Sequence, residues 1–163
     1  GNISYDPVNH EKMIHLRAEK VNRVAKDFPR AEVEGDQDGL LVIGWGSTQG
    51  AIEEAVTTLN AEGLKVSSLH LRFLQPLPPG IKEAMQGFKQ VMTIEGNWSD
   101  RPEDKIIDEN NRRYSAVATL LRARYLVDVD CWSEVRGQPI KPGTMCRVIR
   151  EKLDVRQPKV AKS

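Results

Sequence analysis

Cysteine is nearly absent from this chain: Cys131 and Cys146 are its only two. They lie too far apart for a CxxC redox or cluster motif and supply no four-ligand metal set, so they read as buried free thiols. Long apolar runs are missing too. Nothing approaches the roughly 20 residues that a membrane span requires, and the N-terminus lacks the basic-then-apolar pattern of a secretion signal. The expectation is a soluble, cytoplasmic chain. An excess of charge of one sign is also lacking: 24 basic against 23 acidic residues leave a formal net charge of +1. No global field therefore favours nucleic acid or anionic lipid. What remains is ordinary for one globular domain, 163 residues with 39% hydrophobic and 29% charged, enough for a single core.

Helix and strand signals alternate along the chain. Asp6-Pro7 opens a first helix, with Asp6 as N-cap and Pro7 at a position whose missing N–H costs nothing. Met13, Ile14, Val21, Val24, Ala25 and Phe28 recur at helical spacing up to Phe28-Pro29, the stop. Ala31 to Glu34 reads as a short edge strand, and Leu40 to Ile43 as a strand covered on both faces. A helix from Thr48 to Glu62 follows, with Ala51, Ile52, Ala55, Val56 and Leu59 inward and Gly63 as its stop. Lys65 to Leu71 and Gln90 to Glu95 read as strands around a short helix from Pro79 to Phe88. Gly96 to Arg113 is dense in Asp, Glu, Asn and Arg and reads as a long, solvated surface excursion. Tyr114 to Leu126 is helical, Val127 to Trp132 alternates as an exposed strand, and Thr144 to Leu153 is a last helix with Met145, Val148, Ile149 and Leu153 inward. Asp154 to Ser163 reads as a flexible basic tail. The alternation implies parallel strands joined by right-handed helical crossovers on both faces of an open sheet.

The chemistry-bearing candidates are few. In Gly44-Trp45-Gly46-Ser47-Thr48-Gln49-Gly50 the backbone N–H groups of a glycine turn at a helix N-terminus could cradle an anion. The spacing is not that of the dinucleotide fingerprint, and His70 and Arg72 stand where that fingerprint places a ribose-binding acid. No lysine follows the glycines as a Walker loop demands. A tight structural turn capped by Ser47 or Thr48 is the weightier reading. His70 and Arg72 fall near the carboxyl end of a strand, where open sheets place ligand crevices. Glu95, Asn97 and Trp98 end the next strand, and Glu95 would orient His70 if those two strands lie close together. Glu103, Asp104, Asp108 and Glu109 could in principle gather a divalent cation, but lack calcium-loop spacing. His10 and His15 fall on different faces of the first helix. No Ser–His–Asp order and no GxSxG elbow occurs. Read from residues alone, this is an α/β domain without a self-contained active site.

Several stretches are specific enough to carry a resemblance. Gly1 to Val21, with Tyr5-Asp6-Pro7, His10-Glu11-Lys12-Met13 and Arg17-Ala18-Glu19-Lys20, is similar to the connector in alpha subunits of 2-oxoacid:ferredoxin oxidoreductases, especially 2-oxoglutarate types. Leu41-Val42-Ile43-Gly44-Trp45-Gly46-Ser47-Thr48 with Gly50-Ala51 resembles a signature of that family, and Leu69-His70-Leu71-Arg72-Phe73-Leu74-Gln75-Pro76-Leu77-Pro78 resembles its next strand motif. The Glu95-x-Asn97 strand end, Leu121 to Val129 and Gly137-Gln138-Pro139-Ile140 extend the likeness to about Leu153. It implies a transketolase C-terminal-like domain at 31–153, after a connector at 1–30. That fold is three-layer α/β/α, around a mostly parallel five-stranded sheet with one antiparallel edge strand.

The same resemblance implies a parent complex that oxidatively decarboxylates a 2-oxoacid on thiamine diphosphate with Mg, passes electrons through an iron–sulfur cluster to ferredoxin, and delivers acyl groups to coenzyme A. Counterparts of the family's thiamine-binding N-terminal domain and its beta subunit are missing from this sequence, and no residue matches one that performs the chemistry. The chain is thus expected to hold no cofactor of its own. Gly44, Gly46, Ser47, Thr48, His70, Arg72, Glu95, Asn97 and Trp98 would line the edge that meets those partners. The competing expectation is an independent domain that binds a small anion or coenzyme at its glycine turn. Asp100 to Arg113 departs from the family pattern as an insertion, after which Tyr114-Ser115-Ala116-Val117 replaces the usual helix start.

Overall fold

A computed structural model describes residues 2–35 and 38–154. Helix α1 spans Pro7–Val24 and continues as one 3-10 turn over Ala25–Asp27. Its start is the one the sequence announces, with the Asp6 carboxylate accepting from the Val8 N–H at 3.1 Å and Pro7 beginning the first turn. The remaining elements are β1 (Val33–Glu34), β2 (Leu40–Trp45), α2 (Gln49–Ala61), β3 (Val66–Leu71), α3 (Ile81–Gln86), β4 (Gln90–Glu95), α4 (Ala116–Tyr125), β5 (Asp130–Ser133) and α5 (Pro142–Asp154). One 3-10 turn, Gly46–Thr48, joins β2 to α2.

The sheet order is β1-β3-β2-β4-β5, with β1 antiparallel to β3 and every other pair parallel. The expected three-layer arrangement and its antiparallel edge are both present. Strand pleating explains the two cores, because successive side chains leave opposite faces. Leu40 and Val42 pack with Ile52, Leu59, Met145 and Ile149 under α2 and α5. Leu41 and Ile43 pack with Leu69, Met85, Val117 and Leu121 under α3 and α4. Leu40 to Ile43 are all fully buried, as a strand covered twice must be.

Most element boundaries shift by one or two residues from expectation, and the largest shifts lie at the C-terminal end of the sheet. The last strand begins at Asp130 rather than Val127, after Leu126 takes the left-handed conformation (φ 55°) that ends α4. It is not an exposed strand either, since Val129 and Cys131 are buried under α4. The final helix starts at Pro142 and runs through Asp154, so the expected tail loses its first residue to the helix, and 155–163 fall outside the described residues.

The 96–113 excursion carries no helix or strand, yet it is less solvated than its composition suggests: Ser99 and Asp100 are buried. Asp100 and Arg113 clasp its two ends. The Asp100 carboxylate accepts from the Arg113 backbone N–H (2.9 Å), Nε (2.9 Å) and Nη2 (2.7 Å), and the Asp100 N–H donates to the Arg113 carbonyl (2.9 Å). The bound guanidinium holds the Asp100 carboxyl well below the usual carboxylate range. Arg112 turns inward, donating to the Cys131 carbonyl at 3.1 Å and pairing with Asp130 at 2.9 Å. Arg113→Ala will open this clasp, and limited proteolysis should show cleavage within 101–112 at protease concentrations that leave the wild type intact.

Candidate functional site

The glycine turn leaves the carboxyl end of β2 and is locked by one hydroxyl. Thr48 Oγ1 accepts from the Trp45 N–H (3.2 Å) and donates to the Trp45 carbonyl (2.9 Å), closing the loop on itself. Of the two cap candidates, Thr48 is buried and makes this lock, while Ser47 is exposed. The glycines have different reasons to be glycine. A Cβ on Gly44 would sit 2.4 Å from Ile52 Cδ1 and 2.8 Å from Thr48 Oγ1, so Gly44 lets α2 press onto the strand. Gly46 is exposed in open space, but its φ of +60° is a backbone conformation that L side chains resist.

His70 and Glu95 do not meet, which corrects the expectation that one orients the other. Strand β2 lies between β3 and β4, putting their axes about 10 Å apart. Pleating then separates them further. His70 shares its face with Ser68 and borders α2, whereas Glu95 points to the α4 side with Thr93. The sequence could not reveal this, since strand order and face parity are tertiary facts.

Glu95 is fully buried and spends its charge on α4. One carboxylate oxygen accepts from Thr93 Oγ1 (2.7 Å), the Ser115 hydroxyl and the Ala118 N–H (3.1 Å). The other accepts from the Val117 N–H (3.0 Å), Asn97 Nδ2 (2.9 Å) and Trp45 Nε1 (3.3 Å). A carboxylate at a helix N-terminus satisfies orphan N–H groups and complements the helix dipole. Burial by itself would raise the Glu95 pKa, but the donors, led by Ser115 and Thr93, more than offset it and the net shift is downward. A carboxylate so held is ionised and fully engaged, with no free lone pair for acid–base work. The altered helix start after the 100–113 excursion therefore has its first-turn N–H groups met by the Glu95 carboxylate, while Ser115 stands at the N-cap position without a side-chain capping bond of its own.

The other candidates divide between two places. His70, Arg72 and Gly44 border a half-open cleft of about 260 Å³ between β1, β3 and the first turns of α2, completed by Arg30, Gln49, Glu53 and Phe73. Within it the His70 pKa is lowered, chiefly by burial and also by the Arg72 charge, against an opposing pull from Glu53. Arg72 itself is exposed and pairs with no acid among the described residues. Asn97 donates to Glu95 beneath the sheet edge, and Trp98 projects 63% exposed beside it.

Sequence reasoning missed Ser115, Thr93 and Trp45 as partners of Glu95. The Ser115-Ala116-Val117 start of α4 carried a usable signal, a helix N-cap residue just before an apolar run. It also missed Asn60, whose amide bridges the Val66 N–H (3.0 Å) and carbonyl (2.9 Å), joining the end of α2 to the start of β3. Glu103, Asp104, Asp108 and Glu109 do not converge. Asp108 Oδ1 instead accepts from the Asn110 and Asn111 N–H groups of its own turn.

Comparison with known proteins gives this geometry a lineage. Residues 39–123, just over half of the chain, match the family model for pyruvate:ferredoxin oxidoreductase core domain II. The 2-oxoglutarate oxidoreductase subunit KorA of Mycobacterium tuberculosis is 35% identical over 94% of this chain. A 2-oxoacid:ferredoxin oxidoreductase alpha subunit of Aeropyrum pernix is 34% identical over 60% of it. The chain spans only 21% and 16% of the length of these curated relatives. Among solved structures, a 2-oxoglutarate:ferredoxin oxidoreductase from Magnetococcus marinus, with 2-oxoglutarate, coenzyme A and succinyl-CoA bound, superposes with a TM-score of 0.74 at 27% identity, over 94% of this chain and 25% of that one. A split-gene transketolase, an inactive beta4 tetramer, shares the fold with a TM-score of 0.53 at 18% identity, over 78% of this chain and 42% of its own. The glycine turn and the Glu95-capped helix thus lie in a chain that belongs to the pyruvate:ferredoxin oxidoreductase core domain II family and is homologous to alpha subunits of 2-oxoacid:ferredoxin oxidoreductases.

Proposed function

We propose that this chain is the transketolase C-terminal-like domain, with its preceding connector, of the alpha subunit of a cytoplasmic 2-oxoacid:ferredoxin oxidoreductase of the 2-oxoglutarate type. Its role is structural: it presents interfaces to the thiamine-binding domain of the same subunit and to the beta subunit. The parent complex oxidatively decarboxylates a 2-oxoacid to acyl-CoA and reduces ferredoxin. The observation that carries this reading is the fate of Glu95, the one fully buried carboxylate among the described residues, which is consumed as a helix cap.

Among the described residues, the metal cofactors of such a complex find no donor set. Cys131 and Cys146 are buried in the separate cores on the two faces of the sheet, and no group of His, Cys, Asp or Glu among the described residues could hold a metal ion. A cysteine-ligated iron–sulfur cluster does not fit these residues, and no step of the reaction is assigned to them. The site candidates act instead at the carboxyl edge of the sheet, with Gly46, Ser47, Arg72 and Trp98 exposed for contact.

The purified chain, given 2-oxoglutarate, coenzyme A, thiamine diphosphate and a viologen dye, should show no substrate-dependent reduction. Reduction by the chain alone would sink the structural reading. The competing role, a binder of a small anion or coenzyme, draws support from the cleft beside His70 and Arg72. Calorimetry with coenzyme A, nucleotides and 2-oxoglutarate separates the two: no micromolar binding is expected, and micromolar binding abolished by Gly46→Asp would favour the binder.

A further inference from the structure

Strand β5 is an open edge of the sheet. It pairs with β4 on one side, and among the described residues no strand pairs with the other. The opposite edge, β1, is only two residues long and so offers little to pair with. The four residues of β5 are a larger template, because an unpaired row of N–H and C=O groups accepts an added strand. Parity says which groups form that row. The Glu134 N–H donates to the Glu95 carbonyl, so the backbone groups of Asp130, Trp132 and Glu134 turn toward β4. Those of Val129, Cys131 and Ser133 turn outward.

Side chains already occupy most of that outward row. Arg122 Nη1, from α4, donates to the Val129 carbonyl at 2.9 Å, and Arg112 Nη2, near the end of the 96–113 excursion, donates to the Cys131 carbonyl at 3.1 Å. The Cys131 N–H is drawn to the Asp130 carboxylate at 2.8 Å, which Arg112 also holds at 2.9 Å. Both guanidiniums lie over the Tyr114 ring, 4.6 Å (Arg112) and 4.3 Å (Arg122) from its centroid, so one aromatic ring steadies the two donors. At the other end of the excursion the Ser99 hydroxyl bonds the Ser133 hydroxyl. The excursion therefore touches the edge at both of its ends, and the charges it contributes are of the kind that keep edge strands from pairing.

We infer that the excursion, with Tyr114 and Arg122, guards this edge against strand addition, and that the strand it excludes is β5 of a second copy of this chain. The occupant follows from symmetry. An antiparallel pair about a twofold axis sets the outward N–H and C=O groups of one β5 against the same groups of the other, so an unguarded edge is complementary to itself. Removing both guanidiniums returns two carbonyls to the row.

Arg112→Met together with Arg122→Met keeps apolar stems against Tyr114 and deletes the donors, while Lys152 remains on Asp130. In sedimentation velocity of the 163-residue chain, this double variant should self-associate about tenfold more tightly than the wild type. Adding Ser133→Pro removes an outward N–H without costing a bond to β4, and should return self-association to the wild-type level. A folded double variant that associates no more than the wild type overturns the inference. So does added association that Ser133→Pro leaves unchanged, because another surface would then carry it. Circular dichroism checks the fold. If the double variant fails that check, Arg122→Met alone, at a side chain 33% exposed, carries the same two-step test and is decided by the same two results.

Discussion

Replacing Glu95 with alanine should lower the unfolding free energy by about 3–5 kcal/mol, because buried donors on Thr93, Ser115, Val117 and Ala118 lose their acceptor together. Urea denaturation followed by far-UV circular dichroism measures it. Glu95→Gln keeps the shape but turns an NH₂ group toward other donors, and should cost about 2 kcal/mol. The pH dependence gives the sharper test. The folded pKa of Glu95 lies below its unfolded value of about 4.3. The folded state therefore binds this proton less readily than the unfolded state does. Its stabilisation is fully present above the unfolded pKa and is lost as pH falls from there through the folded pKa. Glu95→Gln should flatten the acid limb of the stability curve below about pH 4.3. A mutant curve parallel to the wild type throughout that limb would show that Glu95 does not carry its charge in the fold.

The second large effect should come from Gly44→Ala. Its Cβ meets Ile52 Cδ1 at 2.4 Å and Thr48 Oγ1 at 2.8 Å. The tip of Ile52 can swing aside, but the Thr48 hydroxyl is held at both ends of its bond pair with Trp45. The expected loss is about 2 kcal/mol, from a shift of the whole first turn of α2. Ile52→Val deletes one of the clashing atoms, so the double mutant should recover about 1 kcal/mol relative to additivity. Strict additivity would mean that the clash is relieved elsewhere and that α2 does not rest on Gly44. Because Gly44 also floors the His70 cleft, the same variant tests whether the turn serves packing or ligand: the packing role predicts lost stability with no associated change in binding heat.

The glycine turn shows what each level of description supplies. Its spacing raised an anion cradle and a structural turn together, and the residues already leaned to the latter. The structure adds the mechanism, a hydroxyl closing the loop and a helix pressed onto Gly44. Much else was legible because it is local. The cap at Asp6, the stop at Gly63 and the inward faces of α2 and α5 depend on residues within a few positions of one another. Features that failed to read were those joined across the chain. The excursion from 96 to 113 reads as solvated because charge dominates its composition, yet Asp100 and Arg113, at its two ends, close it into a clasp. Leu126 hid a chain reversal because a left-handed leucine leaves no mark in hydrophobic periodicity.

What the sequence by itself determined was the alternation of strands and helices, the two-faced burial of β2 and the family to which its motifs point. Periodicity and capping are short-range physics, and a chain writes them out residue by residue. Which titratable groups face one another was decided only by the tertiary structure. Interposing β2 between β3 and β4, and the two-residue repeat of the pleat, sent His70 to the α2 face and Glu95 to the α4 face. Strand order and parity are set by packing both cores at once, so no local pattern could make Glu95 a helix cap rather than a partner for His70.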